Sequence, residues 1–257
     1  MLSEIIQYTT TPCETYARKM GYLGEAIATA ARYRRCKDQW STHLNNTKSQ
    51  ITASISTLYK RRKALIIGVG DFNDIPVEVL AKKFKQVICV DIVFSNKAKR
   101  IIKKYNFIAH QLDITAIAEQ VFHRPEVIPI SDPLFFLEDN EMDFVISCNI
   151  LSQLPYIPVK FLCNNSYYSD ENMDDFSRQI IQSHVDYLKS FPARSLLICD
   201  TSVDVYNEDA SLIESYDPLY GVTLPSPPLV KWRWNIAPIG EYRSNRSVEH
   251  EVGVFVI

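Results

Sequence analysis

The sequence lacks several signatures of common enzyme classes. It has only 7 glycines, and none of them lies in the pattern G-x-x-x-x-G-K-[ST], which cradles phosphates in P-loop proteins. The zinc pattern H-E-x-x-H, the C-x-x-C pair and the hydrolase pattern G-x-S-x-G are also missing. Nothing in the sequence therefore supports a zinc site or a nucleophile elbow, and we predict no bound metal.

Long apolar runs are missing too. The longest, such as ALIIGVG and SLLICD, are far shorter than the roughly 20 residues that span a bilayer. The N-terminus carries an early Glu4 and no basic segment, which is unlike a secretory leader. We therefore predict a soluble, cytoplasmic protein without membrane contact. Among the six cysteines, Cys89, Cys148 and Cys199 lie within apolar runs, which predicts reduced, buried thiols.

The charge is distributed unevenly although the whole chain carries only -2. Residues 1–104 carry a net charge of +11 and residues 105–257 a net charge of -13. A basic half can bind nucleic acid or other anions. The alternative is that these charges lie on solvated helix faces. The second interpretation is favoured because KKFK and NKAKRIIKK set lysines opposite an apolar stripe. We therefore predict no nucleic-acid partner; the sequence leaves the oligomeric state open.

The N-terminal quarter has helical periodicity. From Trp40, the apolar residues Leu44, Ile51, Ile55 and Leu58 follow at spacings of 4, 7, 4 and 3, which keeps them on one helix face. Residues 14–60 are therefore predicted to be helical. We predict a helical N-terminal extension, residues 1–60, that packs on a larger domain formed by residues 61–257.

The middle of the chain alternates between short apolar runs and amphipathic segments. We predict strands in ALIIGV, VICVD, FIAHQLD, MDFVISCN and SLLICD, with helices after the first three and over 176–188. The third helix is expected around 114–122. Such alternation is typical of a parallel sheet that is covered by helices on both faces.

The C-terminal part departs from this alternation. DPLYGVTLPSPPLV is too rich in proline for a crossover helix, and two strand-like runs follow, LVKWRWNIA and SVEHEVGVFVI. The short connector between them favours an antiparallel hairpin. The expected fold class is α/β: a Rossmann-like, mostly parallel seven-stranded sheet that ends in an antiparallel hairpin.

A glycine turn follows the first strand in ALIIGVGDFNDIP. Gly68 and Gly70 permit a close backbone approach to a ligand. The third glycine of a pyrophosphate-binding fingerprint is replaced by Phe72 or Asn73. Asp91 ends the second strand 21 residues after Gly70, near the spacing at which an acid binds a ribose diol. This pattern favours nucleoside binding without a pyrophosphate.

These residues resemble those of the class I S-adenosylmethionine-dependent methyltransferases, over about residues 60–257. Three segments, WSTHLNNTK, SCNILSQLP and WRWNIAPIGE, are similar to a bacterial group of that superfamily with no assigned substrate. The sequence departs from the superfamily pattern at Ile66, where an acid is usual, and at the third glycine. The resemblance implies S-adenosylmethionine as cofactor, with S-adenosylhomocysteine as product. It implies a binding site made of Gly68, Gly70, Asp91, Ile92, Asp113, Ile114 and Asn149.

By this resemblance the two glycines lie beneath the methionine part of the cofactor, and Asp91 binds the ribose hydroxyls. Asp113 would face the adenine amino group, and Asn149 would lie near the methyl donor. Each acid has an alternative structural role, because both can cap the segment that follows. Asn149 can instead satisfy backbone groups at a strand end.

The predicted function is methyl transfer to an unidentified small molecule. The strand-four exit reads CNIL rather than the N-P-P-[YF] type that the superfamily uses for planar nitrogens, which favours a small-molecule acceptor. For an oxygen or nitrogen acceptor, His43, Asp200 and Glu241 are candidate general bases; His110, His184 and His250 are predicted to be structural. The alternatives are an NAD(P)-dependent oxidoreductase and a non-catalytic protein of the same fold that binds a partner.

Overall fold

A computed structural model of the chain describes residues 2–165, 167–168 and 173–257. Within these residues the chain forms nine α-helices and one sheet of eight strands. In the same residues, no helix combines the length and the apolar character needed to cross a bilayer.

The helices come first as a group and then alternate with strands. The helices are α1 Leu2–Thr10, α2 Thr15–Met20, α3 Tyr22–Arg35, α4 Lys37–Ser56, α5 Val77–Lys83, α6 Asn96–Tyr105, α7 Ala118–His123, α8 Tyr156–Asn164 and α9 Asp174–Lys189. The strands are β1 Lys63–Ile67, β2 Gln86–Asp91, β3 Ile108–Gln111, β4 Met142–Cys148, β5 Arg194–Asn207, β6 Leu212–Tyr216, β7 Val230–Ala237 and β8 Arg246–Val256.

The sheet has the order β3-β2-β1-β4-β5-β8-β7. Strands β1 to β5 pair in parallel, whereas β8 pairs antiparallel with both β5 and β7. The predicted fold class, including the C-terminal hairpin, is therefore confirmed. The division of the chain at residue 60 stays a prediction.

One strand was not predicted. Strand β5 continues past Asp200, where the apolar run ends, to Asn207, and β6 pairs antiparallel with this extension. All five residues of β6 are exposed, so β6 has no apolar face that a sequence pattern could reveal. The seven-strand prediction is therefore one strand short.

The α4 helix packs on one face of the sheet as its periodicity predicts. Trp40, Ile51 and Ile55 are buried in one core with strand residues such as Ile66 and Phe144. The indole Nε1 of Trp40 also donates a hydrogen bond to the carbonyl oxygen of Ile236, which joins α4 to β7 at 3.0 Å. Helix α4 and the sheet thus share a core.

The other face of the sheet packs against α9. Ile181, Val185 and Leu188 of α9 lie in a second core with Leu65 and Val145 of the strands. The edge strand β3 differs from the predicted pattern because all four of its residues are exposed. The expectation that every strand is covered on both faces is therefore wrong for β3.

The helix predicted over 114–122 begins later, at Ala118. The carboxylate of Asp113 accepts hydrogen bonds from the N–H groups of Thr115, Ile117 and Ala118, and Ala116 has a left-handed φ of 59°. The four residues after Asp113 thus form a turn that the acid stabilises, because short acidic side chains compete with a helix for backbone N–H groups.

The two oppositely charged halves of the chain are linked by ion pairs. Arg62 contacts Asp143 at 2.6 Å and Lys63 contacts Asp139 at 2.9 Å. Arg35 contacts Glu241. Several basic residues of the N-terminal half are therefore neutralised by acids of the C-terminal half.

His184 on α9 makes the stability of the fold sensitive to pH. The ring is buried, with Nε2 2.9 Å from Ser147 Oγ, and burial lowers its pKa from 6.5 to about 4. Between these values the unfolded chain binds a proton that the folded chain excludes, so the free energy of unfolding falls as the pH drops.

We expect His184 to account for a loss of about 2 kcal/mol between pH 7 and pH 5. Urea unfolding at both pH values should show a smaller loss for His184→Gln, with the exposed His123→Gln as the control. An equal loss in wild type and His184→Gln would contradict this assignment.

Candidate functional site

The carboxyl ends of β1, β2 and β4 meet at one edge of the sheet. Strand β1 lies between β2 and β4, so the strand order reverses direction at β1. In open α/β sheets, ligands bind at such a switch point. The structure brings the predicted residues Gly68, Gly70 and Asp91 together here, with Asn149 on the neighbouring strand end.

The two glycines in the turn after β1 have different surroundings. Gly68 has φ +79°, and a Cβ there would lie 2.1 Å from Ile150 Cγ2, so close packing requires glycine. Gly70 has φ +47°, and a Cβ there would meet no atom within 4 Å. The space beside Gly70 is therefore open to a ligand.

Phe72 leaves this open space free. The backbone of Phe72 is left-handed, with φ 57°, and its side chain is buried in the core that α4 shares with the sheet. The bulky residue at the third fingerprint position therefore points inward. It reshapes the turn without covering Gly70.

Asp91 connects the end of β2 to this turn. Its Oδ2 accepts a hydrogen bond from the N–H of Gly70 at 2.9 Å, and its Oδ1 accepts one from Val93 at 3.3 Å. Burial raises the pKa of Asp91, while hydrogen bonds from the backbone of Gly70, Val93, Ile92 and Val69 act in the opposite direction.

A cavity of about 500 Å³ lies at the end of the neighbouring strand β3. Gln111 at the end of β3 lines the cavity and is the register partner of Asp91. The rest of its lining comes from the N-terminal segment, namely Thr9, Thr10, Thr11, Pro12, Cys13, Glu14 and Arg18. The volume falls in the range of small-molecule sites. Sequence reasoning missed this wall because nothing local links residues 9–18 to β3.

The carboxylate of Asp113 accepts hydrogen bonds from the turn that follows it in the sequence. Besides the three N–H groups named above, both of its oxygens accept from the hydroxyl of Thr115 at 2.6 and 2.8 Å. The carboxylate thus has no strong acceptor position left for an adenine amino group. Ile114 is buried and Ile92 is partly buried. The roles of these three residues toward a cofactor stay predictions.

Asn149 follows β4 and joins a buried polar network. Its Nδ2 donates to Asp74 Oδ2 at 2.7 Å and lies 3.3 Å from His43 Nε2. Burial raises the pKa of Asp74, and the hydrogen bond from Asn149 opposes this effect. Asn149 has φ 53°, a conformation that asparagine tolerates better than most residues. The backbone thus supplies a structural reason for this asparagine.

His43 is held as a neutral ring in this network. The indole Nε1 of Trp232 donates to His43 Nδ1 at 3.1 Å, and Trp234 stacks on the ring with 3.8 Å between centroids. Burial lowers the pKa of His43 to about 3. Because Nδ1 accepts a hydrogen bond, the ring carries its proton on Nε2, so the 3.3 Å contact between Nε2 and the amide nitrogen of Asn149 joins two donors and is not a hydrogen bond.

Asp200, the second candidate base, lies two residues beyond Ile198, whose carbonyl accepts from the N–H of Asn149 at 2.8 Å. Ser152 Oγ donates to Asp200 Oδ2 at 2.7 Å, and His250 Nδ1 lies 3.1 Å from Asp200 Oδ1. Ser152 and His250 were not predicted at this site. His250 lies on β8, which reaches Asp200 only because β8 pairs with β5.

Glu241, the third candidate base, forms ion pairs with α3. Its carboxylate contacts Arg35, with Nε at 2.9 Å, and Arg32 at 3.5 Å. The hydrogen bond from Arg35 is the main reason that its pKa lies below the ordinary value. Glu241 thus connects the β7–β8 connector to α3.

Across the part of the chain that the structure describes, no group of three or more His, Cys, Asp or Glu side chains is arranged to hold a metal ion. At the strand ends, Asp91 contacts the open turn at Gly70, and the cavity lined by Gln111 lies at the end of the neighbouring strand β3.

Comparisons with known proteins give weak similarities. No protein-family model and no curated protein matches the sequence. Among solved structures, the chain is similar to ErmE, a 23S rRNA methyltransferase, with 14% identity over 60% of this chain and a TM-score of 0.31. The match spans 46% of ErmE.

Two further structures are similar over more of the chain. The DhpI-SAH complex is 11% identical over 88% of this chain and 95% of that chain, with a TM-score of 0.33. A SAM-dependent methyltransferase from Leishmania major is 13% identical over 97% of this chain and 81% of that chain, with a TM-score of 0.34. The strand order and the antiparallel C-terminal hairpin give the chain a Rossmann-like α/β fold.

Proposed function

We propose that the protein binds S-adenosylmethionine and transfers its methyl group to a small-molecule acceptor. The observation that carries the proposal is the contact between Asp91 and the N–H of Gly70 at 2.9 Å beside an open turn. This arrangement sets a carboxylate, which can accept from ribose hydroxyls, beside an open turn at the switch point of the sheet.

The surroundings of the turn favour this cofactor over a nicotinamide dinucleotide. Asp71 and Asp74 follow Gly70 closely in the sequence, and their charge disfavours a pyrophosphate. The antiparallel hairpin at β7 and β8 also ends the parallel sheet on which the second half of a dinucleotide-binding fold is built.

The protein's contribution to the reaction is positioning and exclusion of water. The bound cofactor supplies an activated methyl group and a neutral leaving group. Asp91 fixes the nucleoside, the Gly68–Gly70 turn admits the adjoining chain, and residues 9–18 wall the cavity at the end of β3. Alignment and water exclusion are the main requirements for such a transfer.

Calorimetric titration tests the cofactor. We expect saturable binding of S-adenosylhomocysteine and no binding of NADH under the same conditions. Binding of NADH alone would favour an oxidoreductase. Binding of neither ligand would favour a non-catalytic protein that binds a partner, so either result would overturn the proposal.

A second measurement tests the acceptor class. With S-adenosyl[methyl-³H]methionine and a protein-free bacterial extract, we expect tritium in a small-molecule product. Tritium that instead enters RNA or protein, when these are supplied, would contradict a small-molecule acceptor.

A further inference from the structure

The Asp200–His250 pair has the arrangement of a carboxylate that orients an imidazole. Asp200 is almost fully buried, with 3% of its side chain exposed, whereas 16% of the His250 side chain is exposed. The Nδ1 atom of His250 is buried and lies 3.1 Å from Asp200 Oδ1, at ion-pair distance but without the geometry of a hydrogen bond, so the exposed part of the side chain belongs to the rest of the ring. A carboxylate on Nδ1 leaves Nε2 free to accept a proton.

Asp200 is present as a carboxylate. Burial acts to raise its pKa, but His250 and the hydrogen bond from Ser152 outweigh burial and leave the pKa below its ordinary value. The acid is therefore a poor proton acceptor itself and a good partner for the N–H of an imidazole.

The pair lies at the same strand edge as the candidate cofactor site. Ser152, which binds Asp200, follows Asn149 by three residues. Trp234 stacks on His43 and meets the ring of His250 edge-on at 5.8 Å between centroids. These contacts connect His250 to the end of β4.

Other candidate bases at this edge are already engaged. His43 accepts the indole N–H of Trp232 and is neutral, and Glu241 is paired with two arginines. His250 is left as a partly exposed imidazole with a carboxylate behind it.

We propose that His250 is the general base of the methyl transfer, oriented by Asp200, and that the acceptor is a protic nucleophile, a hydroxyl or an amine. This inference rests on the proposed function. The acceptor atom forms its bond to the methyl carbon as the carbon–sulfur bond breaks, and its proton passes to Nε2 of His250. The electron pair of the broken bond stays on the sulfur, which leaves as a neutral thioether.

Titratable groups on β5, α4 and β6 lie near the His250 ring or its partner Asp200. Asp200 of β5 contacts the ring, and neutral His43 of α4 lies within electrostatic range of both. Tyr216 of β6 interacts with Asp200 in the same way. A general base acts only in its unprotonated form, so we expect methyl transfer to decline on the acid side of its pH profile.

The test compares His250→Ala with the exposed control His123→Ala. The probes are S-adenosyl[methyl-³H]methionine and the protein-free bacterial extract. We expect His250→Ala to lower the rate of methyl transfer about 100-fold or more, as for loss of a general base, and to bind S-adenosylhomocysteine as wild type does. Added imidazole should restore part of the rate, which a structural role would not allow. Asp200→Asn should lower the rate while keeping the ring in place.

The outcomes separate the two proposals. If wild type binds no S-adenosylhomocysteine or labels no small molecule, the proposed function fails, and the role of His250 fails with it. If wild type is active and His250→Ala keeps its rate, only the general base is overturned. A loss of rate that imidazole does not restore, with the acid limb of the pH profile unchanged, would also overturn it.

Discussion

Replacing Asp91 with alanine is expected to weaken S-adenosylhomocysteine binding by about 100-fold to 10,000-fold, measured by calorimetry. The physical reason is the loss of two hydrogen bonds from ribose hydroxyls to a charged acceptor, each worth about 1.5–3 kcal/mol. The substitution also frees the N–H groups of Gly70 and Val93, which we expect to cost stability by about 1 kcal/mol.

Two variants control this experiment. Asp91→Asn keeps one carbonyl oxygen and should bind with an affinity between those of wild type and Asp91→Ala. Asp132→Asn removes an exposed acid elsewhere and should bind as wild type does. Unchanged affinity in a folded Asp91→Ala variant would remove Asp91 from the site.

Replacing Gly68 with alanine is expected to lower the free energy of unfolding by about 3 kcal/mol, measured by urea titration. The new Cβ would lie 2.1 Å from Ile150 Cγ2 and 3.3 Å from the carbonyl oxygen of Cys148. Overpacking costs about 1–3 kcal/mol, and a left-handed backbone costs an L-residue about 1–2 kcal/mol more.

Gly24→Ala provides the matched control. Gly24 lies within α3, and a Cβ there meets no atom within 4 Å, so alanine should stabilise the helix by up to about 1 kcal/mol. Adding Ile150→Ala to Gly68→Ala should relieve the clash, so the two losses should sum to more than the loss in the double variant. A stability within about 0.5 kcal/mol of wild type for Gly68→Ala would contradict the packing seen at this turn.

The sequence was sufficient for the features that depend on local chemistry. The helical face through Trp40 and Ile55 is buried as predicted. The C-terminal hairpin pairs as its short connector required. In each case, periodicity or turn chemistry within a few residues determines the outcome.

Local patterns misjudged segments whose environment is set elsewhere. Strand β6 gains its hydrogen bonds from the extension of β5, although its own five side chains are exposed. The turn after Asp113 replaces a helical turn because one carboxylate gathers three N–H groups. The backbone N–H groups after Asp113 can find hydrogen-bond acceptors either in a helix or in this turn, and residue type alone does not show which of the two forms.

The sequence by itself determined the α/β class, the glycine turn and the acid at the end of β2, because these follow from apolar periodicity and from backbone freedom. The tertiary structure decided what the side chains at the strand ends contact. It buries Phe72 away from Gly70, commits Asp113 to its own turn and pairs Asp200 with His250, which lies 50 residues later. Such contacts depend on strand order and register across the sheet, which are set by packing of the whole chain.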